Sequence, residues 1–366
     1  MSAPFLVIAA GGTGGHMFPA QALAETMLAR GWRVALSTDA RGLRYAGGFP
    51  EAVERRALAA ATFARGGLAA KAAAPFAILR GVLAARAWFR EDRPSVVAGF
   101  GGYPSLPALA AGGLLGVPRL IHEQNGVLGR VNRLFAARVA ALACGIRPAN
   151  PPAGAKLVET GNPIRAAARA AAETPYAPPG EGRLSVLAFG GSQGASAFAR
   201  LIPDAMAALP DPLRARIDLT AQGREAEAAE MRDRLDALGV AADVRPFFDD
   251  LPARMAAAQL VIARSGASTM AELGAIGRPA ILIPFPAAMD DHQTANARPF
   301  AEAGAAILAP EAGLTGAVLA GQMRAVLEAP ARAASMAASA RRLGKPDAAE
   351  RLADLVERLA KGESPA

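Results

Sequence analysis

The chain has 366 residues, enough for about two domains, and 52% of them are hydrophobic while only 5% are aromatic, so its cores are built from Ala, Leu and Val. A single cysteine, Cys144, excludes an intrachain disulfide and fits a reducing compartment. The net charge of +8 asks for an anionic partner, yet no aromatic-rich RNA signature, Cys/His finger or basic recognition helix speaks for nucleic acid.

An apolar run over 5–10 reads as a buried strand, and with no basic n-region or cleavage site about it, no signal peptide is expected. It stops in Gly11-Gly12-Thr13-Gly14-Gly15-His16, and a helical pattern follows from Ala20 to Arg30. A strand, glycine loop and helix start together present backbone N–H groups to a phosphate or pyrophosphate. Neither common nucleotide fingerprint fits. A G-x-G-x-x-G count from Gly12 reaches Met17, and no Gly-Lys-Ser/Thr follows. Asp39 closes the next strand-like run, 32–38, where the ribose-binding acid of a Rossmann dehydrogenase would stand, although an exposed strand-end Asp is the commoner explanation.

From Arg55 to Arg90 there are seven basic residues and no acidic one. On a helical wheel over 76–90, Ile78, Val82 and Phe89 form one stripe, while Phe76, Leu79 and Leu83 lie on another face among Arg80, Arg86 and Arg90. Apolar side chains interleaved with arginines suit the headgroup boundary of an anionic membrane surface. Arginines snorkelling over an ordinary buried helix would give the same pattern. Residues 99–118 carry no charge, but Pro104, Pro107 and six glycines interrupt them, so they read as strand end, loop and buried helix rather than a membrane span.

Strand-like runs at 95–100 and 118–122 complete the first half, the second ending in His122-Glu123-Gln124-Asn125. Four polar side chains directly after a buried strand form either a site or a turn that caps the next helix. All three histidines, His16, His122 and His292, fall in strand-end loops far apart in sequence, and Cys144 has no thiol partner, so no metal site is expected. Prolines 148, 151, 152 and 163 punctuate a boundary, giving domains 1–162 and 163–345, with a helical tail over 346–361 packing back on the first.

The second half repeats the logic, with strands near 184–189, 216–221, 243–247, 259–263, 279–284 and 305–309. Alternating strands and helices read as parallel α/β sheets, whose ligands bind beyond the strand carboxyl ends. Gly190-Gly191-Ser192-Gln193-Gly194-Ala195 is a second glycine loop before a helix. The segment Arg264-Ser265-Gly266-Ala267-Ser268-Thr269-Met270-Ala271-Glu272 is another strand, turn and helix start. Thr269 and Glu272 fit a capping box; alternatively Glu272 accepts hydrogen bonds from ribose hydroxyls. The polar run Asp290-Asp291-His292-Gln293-Thr294 with Asn296 suits the hydroxyls of a sugar.

These motifs, together with Gly161-Asn-Pro-Ile-Arg165, occur in order across residues 11–296 and closely resemble the MurG family, the bacterial peptidoglycan N-acetylglucosaminyltransferases. The resemblance implies an α/β GT-B fold, two Rossmann-like doubly wound domains facing a cleft, the first serving acceptor and membrane and the second the donor. It implies transfer of N-acetylglucosamine from UDP-N-acetylglucosamine, with inversion, to undecaprenyl-pyrophosphoryl-muramyl-pentapeptide (lipid I), giving lipid II. The implied setting is peripheral, on the inner face of the bacterial cytoplasmic membrane, with no cofactor and with cell-wall synthesis or division proteins as protein partners.

Carried over by motif, Thr13, Gly14, Gly15, Asn125, Arg165, Ser192, Phe248, Arg264, Ala267, Ser268, Thr269, Met270, Ala271, Glu272, His292 and Gln293 line the substrate sites. Ser268 and Phe248 depart from the Leu and Ile that members carry there, which bears on pocket shape and removes no charged group. The departing diphosphate would be met by Ser192, the N–H groups of Gly190–Gly194, the helix dipole behind them and Arg165. His16 is the first candidate for general base, since an imidazole changes charge near neutral pH, and Glu123 is the second. His16 serves equally well on paper as a ligand for the acceptor pyrophosphate. A GT-B enzyme with another lipid or natural-product acceptor, or a nucleotide-sugar-binding subunit without turnover, are the competing readings.

Overall fold

The computed structural model describes residues 3–11, 14–60, 68–191 and 196–365, and the chain divides into two compact units. Unit 1 comprises Met1–Arg165 and Asp347–Ala366; unit 2 comprises Ala166–Pro346.

Unit 1 runs β1 (Phe5–Ala9), α1 (Gly14–Ala29), β2 (Arg33–Thr38), β3 (Glu54–Ala57), α2 (Leu68–Glu91) and β4 (Val96–Gly99). It continues through α3 (Leu106–Leu114), β5 (Arg119–Glu123), α4 (Arg130–Phe135), β6 (Ala141–Cys144) and β7 (Leu157–Val158). The seven strands pair in parallel in the order β3-β2-β1-β4-β5-β6-β7. Helices cover both faces, which is why β1 and β4 are unbroken apolar runs rather than alternating ones. The period of two sends Leu6 and Ile8 into a core with Met17, Leu23 and Met27 of α1. Phe5, Val7 and Ala9 face the opposite core, with Trp88 and Phe89 of α2 and Leu109 of α3. Strands β3, β6 and β7 go beyond the sequence expectation. β3 is the exposed edge strand Glu-Arg-Arg-Ala, and β7 has two residues.

Unit 2 runs α5 (Ala166–Ala171), β8 (Leu184–Phe189), α6 (Ser196–Ala208), α7 (Asp211–Arg214), β9 (Ile217–Gln222), α8 (Glu225–Ala237), β10 (Ala241–Arg245) and α9 (Leu251–Ala257). β11 (Leu260–Ala263), α10 (Ala267–Ile276), β12 (Ala280–Leu282), α11 (His292–Glu302), β13 (Ala306–Leu308), α12 (Gly316–Leu327) and α13 (Pro330–Leu343) complete it. Its six parallel strands are ordered β10-β9-β8-β11-β12-β13. Arg278, almost fully buried behind α10, donates to the carbonyls of Ala256, Ile276, Gly277 and Thr174, and burial lowers its pKa to about 10. That many carbonyl partners are what a buried guanidinium needs.

The chain then returns to unit 1 as α14 (Ala348–Ala360). Leu352, Leu355, Val356 and Leu359 are buried in the same core as α1, and Arg30 of the α1 exit lies 2.7 Å from Asp354 and 3.2 Å from Glu357. In each sheet the strand order reverses beside the strand that carries the glycine loop, at β1/β4 and at β8/β11. Loops beyond the strand carboxyl ends diverge there and leave room for a ligand.

Candidate functional site

Within unit 1, β1 delivers the chain to Gly11, which packs so tightly that a Cβ there would come within 2.7 Å of Pro104 and 2.9 Å of Thr38 Oγ1. Thr13 lies outside the described residues; Gly14 and Gly15 open α1, with His16 half-buried in its first turn. The imidazole rests on Gly101 and Gly102, both in the left-handed region at φ 86° and 73°. A Cβ on Gly101 would stand 3.3 Å from His16 Cε1 and one on Gly102 3.6 Å from its Cδ2, so two bare glycines make the floor under the ring.

His16 Nδ1 lies 3.2 Å from Gln124 Oε1. The other end of that amide, Nε2, donates to Phe100 O at 3.1 Å and lies 3.3 Å from His122 Nδ1 and from His122 O. His122 is fully buried, with Nε2 2.9 Å from Gly161 O and its ring 5.4 Å from that of Phe100. Burial holds its pKa down to about 4, against a smaller opposing pull from the Gly161 carbonyl. Gly161 itself needs its φ of 84° to present that carbonyl.

Glu123 is spoken for. One carboxylate oxygen accepts from Asn125 N at 3.1 Å and Asn125 Nδ2 at 3.2 Å; the other accepts from Gly129 N and Asn132 Nδ2, each at 2.9 Å. The side chain ties the 124–129 loop to the start of α4, which makes it an anchor and places Asn125 at the loop's edge. Arg165, the last residue of the first segment of unit 1, lies over the ring of Phe18 at 5.0 Å. Phe18 is in the first turns of α1, beyond His16.

In unit 2, β8 ends at Gly190 and Gly191, the latter at φ 78°; Ser192 lies outside the described residues. Gly190 N donates to Gln222 Oε1 at 3.1 Å, while Gln222 Nε2 holds Pro246 O at 3.0 Å. Gln222 thus laces three strand-end loops together. The only sequence signal for it is its place as a polar residue closing an apolar strand.

The helix α10 starts at Ala267 with Gly266 as its N-cap, so Thr269 stands inside the first turn and the capping-box alternative for Thr269 does not hold. Glu272 is nine-tenths buried one turn further on, beside Ser268, Met270 and Ala271 on the same short helix. Arg264 is buried, paired with Glu311 at 2.5 Å, and donates to the carbonyls of Ile283 and Pro284 at 3.1 and 3.0 Å. Its guanidinium also lies 5.3 Å from the Phe198 ring and 5.4 Å from that of Phe285. So employed, Arg264 shapes the β12–α11 loop from beneath.

That loop carries the polar run. Asp290 and Asp291 both adopt left-handed φ, 53° and 49°, an unusual pair for residues with a Cβ. Gln293 Oε1 accepts from Phe285 N at 2.9 Å, Ser265 Oγ donates to Gln293 O at 2.8 Å, and Asn296 Nδ2 donates to Ser265 O at 3.0 Å. The strand-end turns of β11 and β12 are therefore one hydrogen-bonded surface, with His292 Nδ1 2.9 Å from Met289 O at its rim. Phe248 is buried, its ring 4.5 Å from the Arg254 guanidinium. Among the described residues no group of His, Cys, Asp and Glu is arranged to hold a metal ion.

The sequence matches the Glycosyltransferase family 28 N-terminal domain over residues 6–144 and the family's C-terminal domain over residues 185–352. It is 48% identical over 361 residues, 98% of this chain and 95% of the other, to the UDP-N-acetylglucosamine--N-acetylmuramyl-(pentapeptide) pyrophosphoryl-undecaprenol N-acetylglucosamine transferase of Brucella abortus (strain S19). Among solved structures, MurG of Acinetobacter baumannii superposes with a TM-score of 0.79 at 29% identity, covering 97% of this chain and 99% of that one. A kitacinnamycin glycosyltransferase shares the fold alone, with a TM-score of 0.73 at 19% identity over 98% of this chain and 100% of that one. Two Rossmann-like domains of the GT-B type, both halves of the family 28 signature and close kinship along nearly the whole length place the chain in the MurG family of glycosyltransferases.

Proposed function

We propose that the protein transfers N-acetylglucosamine from UDP-N-acetylglucosamine to the 4-hydroxyl of the muramyl sugar of lipid I, inverting the anomeric centre and giving lipid II. The observation that carries this reading is the 48% identity, over 98% of the chain, to an enzyme named for that transfer. Unit 1 is read as the acceptor and membrane unit and unit 2 as the donor unit.

In the reaction the acceptor oxygen forms a bond to the anomeric carbon, the bond to the UDP oxygen breaks, and UDP leaves with the electron pair. His16 takes the hydroxyl proton, a contribution of roughly 10²–10⁴ in rate for a positioned base. Glu123, with both oxygens occupied by four donors, supports the loop rather than the proton. The leaving diphosphate meets the N–H groups after β8, the start of α6, and the carried-over Ser192 and Arg165; removing one such donor typically costs on the order of 10²–10³ in rate. Glu272 accepts from the ribose hydroxyls, with Ala267, Ser268, Thr269, Met270, Ala271, Phe248, His292 and Gln293 around the nucleotide sugar.

Peripheral attachment to the inner face of an anionic membrane is part of the proposal, and rests on α2. Phe76, Leu79 and Leu83 are exposed while Val82, Ala85, Trp88 and Phe89 are buried, and no helix among the described residues is long and apolar enough to cross a membrane. The test of the activity is transfer of labelled N-acetylglucosamine from UDP-N-acetylglucosamine to a short-chain lipid I analogue. Failure of transfer, with UDP-N-acetylglucosamine still bound, would overturn the assignment.

A further inference from the structure

We propose that Gln124 and His122 are positioning residues that fix the tautomer of His16, keeping the hydrogen on Nδ1 and the lone pair on Nε2, where the acceptor hydroxyl delivers its proton. This rests on the reading of His16 as the base and adds what sets its competent form.

The derivation starts from groups with no choice. Phe100 O and His122 O can only accept, so the Gln124 amide turns its NH2 to them, 3.1 and 3.3 Å away. Its carbonyl oxygen is then the end that faces His16 Nδ1 at 3.2 Å. A carbonyl oxygen does not donate, so Nδ1 carries the hydrogen, and in the neutral imidazole Nε2 is left as the acceptor.

A second restraint acts on the same amide from the far side. Gly161 O makes His122 Nε2 the donor nitrogen, and burial keeps that ring neutral down to a pKa of about 4. His122 Nδ1 is therefore a lone pair, matched to the Gln124 NH2 at 3.3 Å. Were the amide reversed, its oxygen would oppose two carbonyl oxygens and a nitrogen lone pair while its NH2 met His16. A protonated His122 would put N–H against NH2. The neighbouring charge does not interfere, because Glu123 directs its carboxylate to Asn125, Gly129 and Asn132. Gly101 leaves room for the ring beside that amide, since a Cβ there would crowd His16 Cε1. In a His–carboxylate pair an anion selects the tautomer; here a neutral amide does so, held by backbone carbonyls.

The experiment uses the full-length protein with ¹⁵N-labelled imidazoles, which contains only three histidines. Long-range ¹H–¹⁵N correlation at neutral pH assigns the tautomer of each, His16 being identified by loss of its signals in His16→Gln. The expected result is hydrogen on Nδ1 for His16 and on Nε2 for His122. Gln124→Met, similar in volume but without hydrogen-bonding groups, should let His16 populate the other tautomer and lower kcat roughly tenfold or more, with KM for both substrates little changed. A wild-type His16 carrying its hydrogen on Nε2 would overturn the proposal, and that spectrum does not depend on any variant folding. Gln124→Met with an unchanged His16 pattern and unchanged kcat would overturn it as well. Near-normal turnover by His16→Gln, beside the expected wild-type pattern, would instead remove His16 as the base and leave the tautomer device standing.

Discussion

At the scale of single residues, the two carboxylates in the strand-end motifs are both buried but stand on different elements. Glu123 holds its own loop, and Glu272 lies in the first turns of α10, whose N-cap is Gly266. Glu272→Ala is expected to weaken UDP-N-acetylglucosamine binding by roughly 1.5–3 kcal/mol, the worth of a hydrogen bond to a charged group. Donor titration and a thermal melt run together check this; a lowered melting temperature with unchanged affinity would make the residue purely structural. His122 offers a test by pH. Its folded pKa of about 4 lies below the ordinary 6.5, so between these values the unfolded chain holds a proton that the folded one lacks. Stability from this group is whole above about pH 6.5, falls as the pH drops toward 4, and falls no further below; the full loss is about 3 kcal/mol. Both tryptophans, Trp32 and Trp88, lie in unit 1, so urea unfolding followed by their fluorescence reports the right unit. His122→Asn, able still to donate to Gly161 O, should decline less between pH 6.5 and 4. Sequence reading reached the histidines because polar residues closing apolar strands are conspicuous. It did not reach the Gln124 relay, which joins residues 108 positions apart, nor Gly101 and Gly102 as the floor of a ring.

At the scale of elements, the six strands of unit 2 all overlap the runs expected for them, although β10 lies two residues earlier, at Ala241–Arg245, because it is a half-exposed edge strand with a weak apolar signal. The three unforeseen strands of unit 1 had no such signal. β6 is Ala-Leu-Ala-Cys within an alanine-rich stretch that reads equally as helix, and β3 is polar because it is an edge. α2 shows how one helix serves two surroundings. Gly81 lets it lie directly on the chain, since a Cβ there would fall within 2.0 Å of Ala59 O, and the opposite face turns Phe76, Leu79 and Leu83 outward. Replacing Arg80, Arg86 and Arg90 by Gln should remove most binding to anionic vesicles, at about 1 kcal/mol for each arginine near the surface, while sparing transfer to a soluble acceptor analogue. Salt should release the wild type incompletely, because the apolar contribution is not screened. Equal sedimentation of wild type and triple variant with vesicles would sink the membrane face.

At the scale of the whole molecule, the last helix of the sequence belongs to the first fold. α14 buries Leu352, Leu355, Val356 and Leu359 beside α1, so unit 1 is incomplete until α14 has been made. Leu355→Ala is expected to cost unit 1 about 2–5 kcal/mol through the cavity it leaves. Tryptophan fluorescence should show the urea midpoint lowered; a midpoint equal to wild type would mean that α14 is dispensable to that core. The single thiol of the chain offers a quite different handle on the same unit. Cys144 is wholly buried at the end of β6, in register with Glu123 on β5. A thiol reagent reaches it only when β6 opens, so the rate of labelling under native conditions is a clock for local opening of the strand next to the one that carries His122. With no second thiol in the sequence to confuse the count, that clock runs on one modification per molecule and can be read by mass alone.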